Sequence, residues 1–286
     1  MLFAACRRLA ARPSEVTIII DAGITAKKNR LTAMVKKQAP LAVALSGGVD
    51  SALLLAVAHE AVGDAVVALT SISPLHPAKE RQAAARVASS LGVRQVEWPT
   101  RRLETDEFTA NPPDRCYICK KMLWTELGRA AAGLGVERLA DGLCVDELDE
   151  DRPGIRAGRE MGILSPLVEV GLRKGEVVQL ARAAGLPVWD QPSNACLATR
   201  IPFGTPITIE RLARIEAAEN LLHDLGFARC RVRLCGQAAR IEVDPEQIEQ
   251  LTEKSRRERI RRQLQKLGFA RVAADLGGYG ADNNIA

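Results

Sequence analysis

The sequence predicts an α/β fold, a parallel sheet with helices on both faces, followed by a smaller C-terminal α+β domain. Three observations predict it. Strand-like and helix-like segments alternate through residues 41–140, which is the pattern of βαβ units. A glycine turn, Ser46-Gly47-Gly48-Val49-Asp50-Ser51, joins an apolar run to a helical stretch. Beyond Pro206 the rhythm changes to a long helix, two short alternating segments, a second helical stretch and a last strand.

Taken in order, residues 41–45 are a short continuous apolar run and read as a buried strand, 51–62 as an amphipathic helix, and 65–72 as a strand. Residues 77–91 read as a helix, with Pro77 suited to its first turn and Gly92 as its stop. Residues 93–98 are strand-like, 117–132 helical, and 138–140 a short strand. In such folds ligands gather beyond the carboxyl ends of the strands. That rule puts Ser46–Ser51 and Asp141-Gly142 in one crevice. In the C-terminal part, 207–225 is a helix ending at Gly226, 229–234 and 239–243 are strands, 245–267 is helical and 271–276 a strand. Domains are expected at 36–204 and 205–286. The arginine-rich, acid-poor residues 1–35 read as an extension outside the core, with Met34 as an alternative start.

Composition narrows the function. Hydrophobic residues make up 47% of the 286, enough for a packed core, while aromatics at 3% leave little for base stacking. A net charge of +5 fits an anionic small substrate better than a dedicated nucleic-acid binder. No apolar run is long enough to cross a bilayer, and a cytoplasmic location is expected. Seven cysteines without framework spacing argue against structural disulfides and for reduced or metal-bound thiols.

The glycine turn is built to cradle a phosphate. Gly47 and Gly48 let the backbone curl with no Cβ in the way of an anion. Helix-opening amides lack intrahelical acceptors, and the helix dipole adds positive character there. Ser46 and Ser51 add hydroxyls, and Asp50 is placed to bind Mg²⁺ or polarise an amide. The Walker pattern GxxxxGK[ST] is missing, so this is another kind of phosphate loop. SGGxDS resembles the PP-loop of ATP pyrophosphatases, which cleave ATP between its α and β phosphates and adenylate a substrate.

Two further constellations carry sulfur. Cys116 and Cys119 form a C-x-x-C at a helix start, beside Lys120 and Lys121, a setting that favours thiolate. Cys196 lies in Gln191-Pro192-Ser193-Asn194-Ala195-Cys196-Leu197-Ala198-Thr199-Arg200, followed by Ile201-Pro202-Phe203-Gly204. Three thiolates suit zinc or an iron–sulfur cluster. Structural zinc wants a fourth ligand, for which Cys144, Cys230 and Cys235 are candidates outside any paired motif.

SGGVDS, CYICKK, the segment from Asp141-Gly142 to Arg152-Pro153-Gly154, Ser165-Pro166-Leu167 and PSNACLATRIPFG together resemble the LarE family. These are PP-loop sulfur transferases that help build the nickel-pincer nucleotide cofactor of lactate racemase. The resemblance implies an adenine nucleotide α-hydrolase-like fold. It implies as substrates ATP with Mg²⁺ and the biscarboxylate of a pyridinium mononucleotide, whose adenylated carboxylates become thiocarboxylates. The family either sacrifices the sulfur of one loop cysteine or uses three cysteines thought to hold a [4Fe–4S] cluster. Cys116, Cys119 and Cys196 match the three-cysteine pattern, so the cluster mode is expected over sacrifice of Cys196.

The resemblance also implies a substrate-phosphate grip by Arg231 and Arg233, which alternate to one face of a strand, with Glu242 nearby. Lys120 and Arg200 are expected at the phosphate, carboxylate or adenylate, and Asp141 and Gly142 at the nucleotide. A homo-oligomer is implied; the sulfide donor is left open. One departure is Cys144 with Asp146-Glu147 and Asp151 in a stretch where the family often has Asn, Asp-Asp and a Tyr before Arg-Pro-Gly. Cys144 is read as a stray thiol, and His59, His76 and His223 as non-catalytic. Asp146, Glu147, Asp149, Glu150 and Asp151 read as a solvated loop, and the arginines of 256–262 as a wet or oligomeric face. The rival readings are a PP-loop tRNA thiolation enzyme and a non-catalytic nucleotide-binding regulator.

Overall fold

The computed structural model describes residues 20–148, 153–191 and 195–280. The expected elements at Pro192, Ser193, Asn194, Arg152 and the acidic residues 149–151 lie outside the described residues.

In chain order the elements are α1 (Ala22–Gln38), β1 (Leu41–Ala44), α2 (Val49–Val62), β2 (Val66–Ile72), α3 (Ala78–Leu91), β3 (Gln95–Pro99), α4 (Asp106–Thr109), α5 (Arg115–Gly133) and β4 (Arg138–Ala140). They continue as α6 (Pro153–Glu160), α7 (Pro166–Glu169), α8 (Lys174–Ala183), α9 (Ile209–Asp224), β5 (Cys230–Cys235), β6 (Ala238–Val243), α10 (Ile248–Thr252), α11 (Lys254–Lys266) and β7 (Arg271–Ala274).

The first sheet is parallel throughout, in the order β3-β2-β1-β4. From β1 the chain winds outward through β2 to β3, then returns to place β4 on the other side of β1. That reversal opens a crevice at the carboxyl ends of β1 and β4, the switch point where doubly wound sheets bind ligands. The second sheet has the order β5-β6-β7, a hairpin of β5 with β6 and a parallel pairing of β6 with β7. The fold class read from the sequence is the one observed.

Two elements differ from expectation. Residues 22–38, read as part of an extension, form α1, which packs across α2. Its Ile24, Leu31 and Val35 are buried in the same cluster as Leu41, Val43 and Leu53. Each fully buried aliphatic side chain contributes roughly 1.5–3 kcal/mol. The reason lies in α2 itself, where Leu53, Leu54 and Leu55 are all buried. Three consecutive residues sweep most of a helical turn, so no single apolar stripe can hold them. Helix α2 is therefore buried on all sides rather than amphipathic, with α1 and α8 covering what the sheet leaves open. Asp21 caps α1 by accepting from Gly23 N at 2.7 Å, and Lys27 pairs with Glu176 of α8 at 2.6 Å.

The second difference is a break in the long C-terminal helix. Glu253 adopts an extended conformation (φ −52°, ψ 135°) between α10 and α11, so Leu251 and Ile260 reach one core from two axes. That core also takes Leu75, Phe108, Ile118, Leu197 and Ile201 from the chain before residue 205. The core of the second sheet thus extends into α4, α5 and loops of the preceding chain.

Candidate active site

The glycine turn is held by its own hydroxyls. Ser46 N donates to Ser51 Oγ at 3.2 Å, Ser51 Oγ donates to Gly48 O at 3.1 Å, and Gly48 N donates to Ser46 Oγ at 3.3 Å. Gly47 has φ 88°, and a Cβ there would sit 2.3 Å from Glu80 O of α3. Only glycine meets both constraints. Helix α2 opens at Gly48 with no side-chain cap, leaving its first amides facing the turn. At the neighbouring strand end, a Cβ on Gly142 would lie 2.5 Å from Ser51 N. The absence of a side chain at Gly142 lets β4's exit loop touch the helix that starts the cradle.

Asp50 is not free in the turn. Its Oδ2 accepts from Lys174 Nζ at 2.5 Å, while its Oδ1 is buried without a hydrogen-bond partner. An orphaned carboxylate oxygen beside a phosphate cradle suits a hard divalent cation. Lys174 was not singled out from the sequence, because it comes from the first turn of α8, 124 residues away. Asp141 is half-buried, and burial raises its carboxyl above the ordinary range; the Leu143 amide, the Ser165 hydroxyl and the Lys120 charge pull it back. Lys120 also stacks over Trp124 (5.2 Å) and packs against Gly154. The lysine beside the C-x-x-C thus lies within electrostatic reach of the nucleotide crevice.

Cys116 and Cys119 sit one turn apart at the start of α5, the first exposed and the second half-buried. Cys196 precedes a 3₁₀ turn, Leu197–Arg200, whose Leu197 N donates to Leu75 O at 2.8 Å beyond β2. Burial raises the Cys196 thiol pKa; the charges of Cys119 and Cys116 raise it further, and those of Arg200 and Arg115 lower it. The charges that act on Cys196 thus come from both α5 and its own turn. Among the described residues no three His, Cys, Asp or Glu side chains converge on a single metal ion.

A clasp brings the cysteine segments together. Asn111, fully buried with φ 60°, donates from Nδ2 to the carbonyls of Ile201 (3.3 Å), Pro202 (2.7 Å) and Thr205 (2.9 Å). Arg115 Nη1 donates to Asn111 Oδ1 at 2.6 Å and Ile201 O at 3.0 Å, and the guanidinium lies 4.3 Å over Phe203. The stretch before the C-x-x-C and the stretch after Cys196 are therefore one unit. Asparagine tolerates the left-handed backbone, which with its position before Pro112 was the available signal.

Arg200 is placed differently from the sequence expectation of a substrate contact. It is 2% exposed, donates from Nε and Nη2 to Glu219 (2.9 and 3.2 Å), and from Nη1 to the carbonyls of Ala195 and Cys196 (2.7 and 3.2 Å). It is a clamp beneath the cysteine loop, fully occupied with protein partners. Arg231 and Arg233 do share a face of β5, opposite Glu242 and Arg240 of β6. Arg233 is buried, pairs with Glu242 and donates to Thr199 O at 3.0 Å, while Arg231 stacks over Tyr279 at 4.5 Å. Arg240, missed in the sequence, pairs with Glu242 (3.1 Å) and Asp275 (3.3 Å). Arg231, Arg233 and Arg240 thus gather on one face with Glu242 and Asp275. A small cavity of about 20 Å³ beside Thr199 joins it to the Cys196 turn.

Cys144 lies under the cradle and is buried. Burial, followed by the charges of Asp50 and Glu147, pushes its thiol up to about 11, so it is neutral at physiological pH. A neutral thiol is a poor nucleophile and metal ligand. Cys230 is likewise pushed up, to about 12, chiefly by burial. No helix among the described residues is long and apolar enough to cross a membrane.

Known proteins similar to this chain identify its family. Residues 28–130 match the asparagine synthase family. The chain is 36% identical over 259 residues to pyridinium-3,5-bisthiocarboxylic acid mononucleotide synthase of Lactiplantibacillus plantarum, covering 90% of this chain and 93% of that one. It is 40% identical over 237 residues to an uncharacterised protein of Synechocystis, covering 83% and 88%. A GMP synthase of Aeropyrum pernix shares 29% identity over 217 residues, 68% of this chain and 42% of that protein.

Proposed function

Because the chain belongs to the LarE family of PP-loop sulfur transferases, we propose that it uses ATP to adenylate the carboxylates of pyridinium-3,5-biscarboxylic acid mononucleotide and converts them to thiocarboxylates. The observation that carries this reading is the glycine turn at the β1–β4 switch point, where Gly142 packs directly on Ser51 at the start of α2.

The chemistry follows from the groups on the page. A carboxylate oxygen attacks the α-phosphorus of ATP, the α–β bridge breaks and pyrophosphate leaves. The turn at Gly47-Gly48, the opening amides of α2 and the Ser46 and Ser51 hydroxyls hold the phosphates. Asp50, whose Oδ1 is buried without a partner, would hold Mg²⁺, which would supply positive charge to the phosphates, while Lys174 pairs with its other oxygen. Positive groups fixed where charge builds in the transition state are the main source of such catalysis. A sulfur nucleophile then adds to the acyl-adenylate carbonyl and expels AMP, leaving the thiocarboxylate. Lys120 faces Asp141 and the phosphate side of this step, and the face of Arg231, Arg233 and Arg240 holds the mononucleotide's own phosphate.

Cys116, Cys119 and Cys196 would hold a [4Fe–4S] cluster, which supplies transferable sulfur at the iron without a protein ligand. Sacrifice of Cys196 sulfur is the alternative route, and it leaves the paired Cys116 and Cys119 at the start of α5 without a role. Mass spectrometry after anaerobic turnover with ATP and substrate tests both levels. Substrate-dependent pyrophosphate release with thiolated product and intact Cys196 is the expected result. Loss of H₂S mass from Cys196 would move the reading to sacrifice, and pyrophosphate release indifferent to the mononucleotide would remove it.

A further inference from the structure

Arg102 lies at 1% exposure, deeper than Arg200 at 2%, yet the two are treated differently by their surroundings. Arg200 has Glu219. Arg102 has no carboxylate partner among the described residues. Its Nη2 donates to Ser71 Oγ (2.9 Å) and Thr100 Oγ1 (3.2 Å), its Nη1 donates to Cys119 Sγ at 3.2 Å, and its Nε is buried without a partner. A guanidinium stays charged in any protein setting, and an uncompensated buried charge costs several kcal/mol. Arg115 repeats the pattern on the other side. It too is buried, its Nε is unpartnered, it has no carboxylate partner among the described residues, and its charge acts on Cys196.

A buried cation on Cys119 and a second whose charge acts on Cys196, neither with a carboxylate partner among the described residues, favour negative charge on these sulfurs. Ser71 is the penultimate residue of β2 and Thr100 follows β3, so the same guanidinium that touches Cys119 is anchored at the carboxyl edge of the parallel sheet. It ties α5 to the side of the molecule where the nucleotide crevice opens.

We propose that Arg102 is a positioning residue of the sulfur site: it fixes Cys119 Sγ against the ends of β2 and β3 and supplies the positive charge that an anionic iron–sulfur assembly on Cys116, Cys119 and Cys196 requires. This rests on the cluster reading above. Hydrogen bonds and positive charge at a ligand sulfur favour the more reduced, more negative state of a cluster, and so raise its reduction potential.

The test is anaerobic reconstitution of the wild type, Arg102→Met, Arg102→Gln and Arg102→Lys with ferrous iron and sulfide. Iron per chain, the midpoint potential and the melting temperature are read for each. The wild type binds iron at cluster stoichiometry. The two neutral variants shift the reduced-to-oxidised ratio at fixed potential at least tenfold toward oxidised, about 59 mV for one electron, and Arg102→Lys recovers most of that shift. Glutamine retains a donor and fits the same space, so it serves if Arg102→Met is not recovered folded. Folded neutral variants with the wild-type potential and iron content overturn the proposal alone. A wild type that takes up no iron overturns the cluster reading, and the proposal with it.

Discussion

Lys174 Nζ and Asp50 Oδ2 are 2.5 Å apart, which puts the first turn of α8 in direct contact with the glycine turn. The main-chain N of Lys174 donates to Asp146 Oδ2, also at 2.5 Å, so the helix start is pinned at two carboxylates. Asp50 carries the charge that would draw Mg²⁺ but also repel a triphosphate, and Lys174 removes half of that conflict.

Lys174→Met therefore raises KM for ATP tenfold or more, about 1.4 kcal/mol of lost stabilisation, in a substrate-dependent pyrophosphate release assay. Raising Mg²⁺ recovers part of the loss, because the metal supplies charge that the lysine no longer does. An unchanged KM would separate Lys174 from the cradle.

Gly47→Ala places a Cβ 2.3 Å from Glu80 O on a backbone with φ 88°. Strain of this kind costs about 1–3 kcal/mol. The expected outcome is a lower melting temperature together with loss of ATP-dependent stabilisation. Gly142→Ala, aimed at Ser51 N, produces the same pair of changes.

Arg200→Ala and Arg231→Ala separate structure from substrate binding. Removing Arg200 leaves Glu219 buried and unpaired, at a cost of about 3–5 kcal/mol, read by urea denaturation. Arg231 is half-buried with its guanidinium over Tyr279 and, among the described residues, leaves no carboxylate as deeply buried as Glu219 behind, so its loss raises KM for the mononucleotide while the urea midpoint moves less than for Arg200→Ala. Equal denaturation curves for the two variants would contradict the clamp assigned to Arg200.

Alkaline pH weakens the fold through Cys144 and Cys230. Their folded-state thiols titrate at about 11 and about 12 against an ordinary 9.0. Between those values the unfolded chain has released protons that the folded chain keeps, so stability is full below pH 9 and falls as pH rises toward 11 to 12. Melting temperature followed from pH 8 upward shows this decline, and Cys144→Ala with Cys230→Ala flattens it. In the wild type at pH 8, Cys235, which is exposed, alkylates ahead of both.

A chain begun at Met34 loses Ile24 and Leu31 from the core and uncovers α2. At roughly 1.5–3 kcal/mol for each buried side chain, with the exposed Leu53-Leu54-Leu55 in addition, it aggregates on expression. A chain begun at residue 20 keeps the full melting temperature. Recovery of the Met34 chain as a stable monomer would show that α1 is dispensable.

The sequence by itself determined the parallel sheet and the phosphate cradle. Residues 41–51 carry both in one local stretch, because strand, turn and helix start are decided by neighbours a few residues apart. The same local logic placed Cys116 and Cys119 one helical turn apart, and Arg231 with Arg233 on one strand face. Only the tertiary structure decided which charges are spent and which are offered. Arg200 and Arg231 look alike as isolated arginines, yet Glu219 comes from α9 to bury the first, while the second is half-buried with its guanidinium over Tyr279. Lys174, Arg102 and Asn111 gain their meaning from partners 124, 17 and about 90 residues away. Charge pairing and burial depend on distance in space, and along the chain no local pattern records it.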